Sequence, residues 1–122
     1  MSLLKTSELT GPALAYAVAQ ITPDLMQIGN CFYIRNEDGE RVLFNPAENW
    51  AQGGPIGETE HLQASYQVNG PHKGEWGCVK WIEAFSGYIK QYGPTELIAK
   101  MRCYVASKLG DEVVVPDELT GE

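Results

Sequence analysis

Apolar positions early in the chain fall at helical spacing, and further on they alternate. Leu14, Ala17, Val18 and Ile21 stand at i, i+3, i+4 and i+7 and predict a helix with one apolar stripe. Thr10-Gly11-Pro12 opens it with a residue able to cap and an early proline whose missing N–H has no helical partner to lose. Pro23 stops it. Ahead of it, "LLKT" (3–6) predicts a short edge strand. In "NCFYIRNEDGERVLFNP" two β-rich runs, 31–35 and 41–45, flank a turn in which Gly39 can take the positive φ a hairpin needs. Two further strands are expected at about 63–68 and 76–82, joined by a glycine-rich loop.

The segment "GPTELIAKMRCYVASKLG" predicts a helix over 93–110. Pro94 stands at a first-turn position, Glu96 and Lys108 complement the dipole, and Gly110 offers a C-cap. Leu97, Ile98, Met101, Tyr104, Val105 and Leu109 form its main apolar face. Its back carries Ala99, Cys103 and Ala106 where a surface helix would carry charge. That small-residue face predicts contact on both sides, and we take Ala99, Cys103 and Ala106 as candidate interface residues for a homo-oligomer. "EVVVP" (112–116) adds a strand. Strands and helices alternate irregularly, so the chain reads as a small α+β domain over 1–116: a mostly antiparallel sheet with helices packed on it, an α/β sandwich. Residues 117–122 read as a frayed acidic tail.

Composition narrows the chemistry. The 122 residues are 43% hydrophobic and 20% charged, which suits one ordinary core. The net charge of −7 and the dispersal of nine basic residues argue against specific nucleic-acid binding, which needs clustered Lys and Arg against phosphates. No apolar run approaches the roughly 20 residues that span a bilayer, so no membrane partner is expected. Cys31, Cys78 and Cys103 are far apart and form no C-x-x-C. His61 and His72 with Cys78 fit no metal spacing, so neither metal nor cofactor is expected.

"NWAQGGPIGE" (49–58) has the glycines of a phosphate loop without its spacing or lysine, and Pro55 removes a backbone donor. It reads as a structural turn, with a positive φ at one glycine, that feeds a short or broken helix and seats Trp50. Tyr104 and Lys108 form a Y-x-x-x-K array without the dinucleotide-binding domain it would serve. Ser86 lies outside any G-x-S-x-G elbow, and His72-Lys73 lacks a nucleophile and an orienting carboxylate. No catalytic residue is assigned. Trp50, Gln52 and Arg102 remain as candidate ligand-binding residues, with Arg102 also suited to a buried carboxylate.

"KTSELTGPALAYAVA", "NWAQGGPIGE" and "GPTELIAKMRCYVASKLGDEVVVPDEL" resemble successive blocks of the NinX-like proteins of tailed phages and prophages. The chain departs from that pattern at Ala15, where an acidic residue is usual, at Tyr16, where tryptophan is usual, and at Glu96, often proline. The resemblance implies a phage or prophage protein of the bacterial host cytoplasm and assigns no catalytic residues. The expected function is a non-enzymatic accessory protein that binds a host or phage protein, as a homo-oligomer. The alternative is a small-ligand-binding protein or an enzyme with a pocket near Trp50 and the 53–57 loop.

Overall fold

The computed structural model describes residues 1–23 and 25–119. In order, the elements are β1 (Ser2–Lys5), α1 (Gly11–Ala19), β2 (Met26–Ile28), β3 (Cys31–Arg35), β4 (Arg41–Leu43), α2 (Trp50–Thr59), β5 (Gln63–Tyr66), β6 (Trp76–Ile82), β7 (Gly87–Gly93), α3 (Glu96–Leu109) and β8 (Glu112–Val115). Among the described residues every strand pairing is antiparallel, in three small sheets ordered β1-β8, β2-β3-β4 and β5-β6-β7. The fold is α+β, with its antiparallel strands divided among three sheets. Among the described residues, no helix is long and apolar enough to cross a membrane.

α3 is the centre of the molecule. The Thr95 side chain caps it by accepting from the Ile98 amide at 3.1 Å, so Pro94 precedes the cap and does not start the helix. Gly110 closes it with φ +91°. The residues from Leu97 to Ala106, Lys100 apart, are buried in one run, because sheet and helices surround α3. β6 and β7 cover one side, while α1 and α2 pack elsewhere on it. Gly93 ends β7 against the helix: a Cβ there would stand 2.9 Å from the Ala99 amide nitrogen.

That packing corrects the interface expectation. Ala99, Cys103 and Ala106 are buried within the domain, and the Cys103 thiol lies against the Ile89 carbonyl of β7. The helix is contacted on both sides by its own chain.

The double glycine is also not a turn. Trp50–Thr59 is helical, with Pro55 inside it, and neither Gly53 nor Gly54 has a positive φ. Asn49 caps the helix through its side chain, which accepts from the Ala51 amide at 2.9 Å. The glycines serve close packing: a Cβ on Gly53 would meet the Pro46 carbonyl oxygen and Leu97, and one on Gly57 would meet the Lys100 stem. Trp50 is 54% exposed, so it is not seated in the core.

β7 follows a turn closed by Ser86 in the left-handed region (φ +50°), and β2 extends the 31–43 hairpin by a third strand. The 117–122 segment begins with a short 3₁₀ turn, Asp117–Leu119, in which Asp117 meets the N-terminal ammonium at 3.2 Å and the Ser2 hydroxyl. Residues 120–122 lie outside the described residues.

Candidate functional site

The three candidate ligand residues do not converge. Trp50 borders a shallow hollow of about 320 Å³, with the Lys100 ammonium 5.5 Å from its ring centroid. Gln52 lines a different, wider cleft of about 710 Å³ between the β3–β4 hairpin and α2. Both ends of its amide are engaged: Oε1 accepts from the Asn45 amide at 2.6 Å and Nε2 donates to the Leu43 carbonyl at 2.9 Å. Gln52 therefore ties α2 to β4.

Arg102 lines neither space. It is buried, its Nε donates to the Leu9 carbonyl and its Nη1 to the Tyr92 carbonyl, each at 2.7 Å. No carboxylate pairs with it among the described residues, contrary to the sequence expectation. Burial lowers its pKa, and the charge is held by backbone dipoles that pin the segment before α1 to the end of β7.

Reactive side chains are equally scattered. His72 pairs with Glu75 at 2.9 Å and stacks on Tyr92 with centroids 3.5 Å apart. Cys78 and Cys103 are buried together between β6 and α3. A hydrogen bond from Cys103 lowers the Cys78 pKa, and the same contact with burial raises that of Cys103. Among the described residues, no three His, Cys, Asp or Glu side chains group as a metal site.

The outward face of the β5-β6-β7 sheet is different in kind. Strand alternation directs Cys78 and Ile89 toward α3 and therefore Trp81, Tyr88, Lys90 and Tyr92 away from it. Trp81 and Tyr88 are directly opposed in register, edge to face with centroids 5.0 Å apart, and remain 45% and 67% exposed. The Lys90 ammonium lies 5.4 Å from the Tyr92 ring centroid. None of the 16 acidic residues of the chain falls within these three strands; Glu75 and Glu83 flank β6. An acidic protein thus presents one aromatic sheet face on strands without acidic residues, with Glu75 at its margin through the His72 ring stacked on Tyr92. The signal was in the sequence, as Tyr88, Lys90 and Tyr92 at period two after Ser86-Gly87, though the left-handed residue of that turn is Ser86 and not the glycine.

Compared with known proteins, the chain matches the family model described as Bacteriophage P22, NinX over residues 5–108. No curated protein matches it.

Proposed function

The chain belongs to the bacteriophage P22 NinX family and is a phage accessory protein, and from that premise we propose that it acts as a non-enzymatic interaction module through the outward face of β5-β6-β7. The observation that carries the proposal is the exposed Trp81–Tyr88 pair on strands free of acidic residues. Exposed aromatic clusters mark contact surfaces, and Trp and Tyr are enriched among the residues that dominate binding energy. The occupants proposed for this face are a second copy of the chain and a host or phage protein, met in the bacterial cytoplasm.

The test is a Trp81→Ala, Tyr88→Ala double variant. Both side chains point away from α3, so the melting temperature should stay close to that of the parent. Light scattering across concentration should show self-association of the parent and its loss in the variant. Tagged protein from infected cells should retain a partner that the variant does not. A monomeric parent would remove the homo-oligomer, and capture unchanged by the double substitution would remove this face.

A further inference from the structure

The strands that border the three sheets differ in how their free sides are protected. β1 carries Lys5, β8 Glu112, β4 Arg41 and β7 Lys90, while β2 is three residues long. Charge and shortness are common defences of a sheet edge. β5 has no charge, and residues 61–72 contain no Asp, Glu, Lys or Arg. It pairs with β6 and packs on α3, and its pairing runs on past Tyr66 to Gln67. The Gln67 amide donates to the Glu75 carbonyl at 2.8 Å, and the Gln67 carbonyl accepts from the Gly74 amide at 2.9 Å. Gln67 thus turns both backbone groups toward β6. These directions alternate along an antiparallel strand, so Ser65 does the same while Ala64 and Tyr66 turn theirs to the free edge. The alternation carries through β6 to β7, where it turns the Tyr92 carbonyl outward, and Arg102 takes it there. Among the described residues, no such bond reaches Ala64 or Tyr66.

We propose that the free edge of β5 takes an extended segment of another protein as a fourth strand, uncharged over the paired residues and flanked by Lys or Arg. Main-chain pairing with Ala64 and Tyr66 would hold such a segment, as in other cases of strand addition. Tyr66 and Val68 are more than half exposed, and Tyr66 meets Trp76 edge to face with centroids 5.7 Å apart. These side chains favour β-branched or aromatic neighbours on the added strand. A charged side chain at the paired positions finds no counter-charge on residues 61–72, whereas the net charge of −7 attracts basic flanks. β5 stands at the opposite edge of the sheet from Tyr88, so this inference holds with or without the face proposed above.

The test is an amide ¹H–¹⁵N titration of the full chain, with hydrogen exchange, using the peptide acetyl-KVTVTVK-amide and its acidic analogue acetyl-EVTVTVE-amide. In the free protein the Ala64 and Tyr66 amides should exchange faster than those of Ser65 and Gln67. The basic peptide should shift Ala64, Tyr66 and Val68 saturably and slow exchange at the Ala64 and Tyr66 amides by about tenfold or more. The acidic peptide should bind more weakly. Tyr66→Pro removes an outward N–H at an edge position, where proline is tolerated. It should bind the basic peptide about tenfold more weakly than Tyr66→Ala, which keeps that donor. No saturable shift, no slowing at those two amides, equal binding of the two peptides, or equal binding by Tyr66→Pro and Tyr66→Ala would each overturn the proposal. Exchange at Ala64 and Tyr66 that slows as the free protein is concentrated would overturn it too, by giving the edge to a second copy.

Discussion

A Cβ on Gly53 would stand 2.1 Å from the Pro46 carbonyl oxygen and 2.9 Å from Leu97 Cδ2, whereas one on Gly54 would meet only the Trp50 ring, at 3.7 Å. Both residues are helical, so neither needs the left-handed region. Gly53→Ala must therefore push α2 off Pro46 and α3, and should cost about 3 kcal/mol, as overpacking at rigid backbone does. Gly54→Ala removes a poor helix former without a clash and should stabilise by up to about 1 kcal/mol. Urea unfolding of the pair checks this, and equal effects would refute the close-packing account. The sequence shows two glycines and a proline, which is turn chemistry locally. Which glycine lies under a carbonyl depends on where Pro46 and Leu97 arrive, and that is tertiary information. Arg102 was misread for the same reason: its type suggests a carboxylate partner, yet the fold presents it with two carbonyls.

At the scale of elements, α3 was legible because its stripe, its acidic first turn and Gly110 all agree on one answer. The small residues at Ala99, Cys103 and Ala106 announced a second contact without identifying what makes it. The missing party was β7, whose turn puts Ser86, and not the adjacent Gly87, in the left-handed conformation. With β7 absent, the back of the helix looked free for a partner. Tyr104 extends the account to ionisation. Its hydroxyl lies 3.4 Å from the Ile21 carbonyl, and burial, with Glu60 secondary, raises its pKa above the ordinary value of 10.0. Above pH 10 the unfolded chain gives up the phenolic proton while the folded chain keeps it, so stability must fall as pH rises. Tyr104→Phe should flatten this alkaline decline in melting temperature between pH 9 and 11, relative to the parent; parallel curves would refute it.

Across the whole molecule, the strand that closes the fold and the strand that begins it meet outside most of the family match. β1 pairs with β8 from Ser2↔Val115 to Lys5↔Glu112, whereas the match runs over residues 5–108. The pairing is part of the core: Val113 and Val115 are buried, Leu4 packs against them, and buried Thr6 ties in through a 2.7 Å bond from its hydroxyl to the Gly110 carbonyl. The exposed ion pair of Asp117 with the N-terminal ammonium sits on top of this clasp and should contribute little, as surface pairs do. The apolar ladder beneath it should matter. Burial of two valines stabilises by about 3–5 kcal/mol, a large share of the roughly 5–15 kcal/mol that holds a domain of this size together. A chain cut to 5–108 should therefore melt about 10 °C or more below the full chain, or fail to fold. Asp117→Asn should instead leave the melting temperature nearly unchanged. Circular dichroism melts of the three proteins decide it: a truncated chain as stable as the full one would make the matched segment self-sufficient and the clasp an ornament.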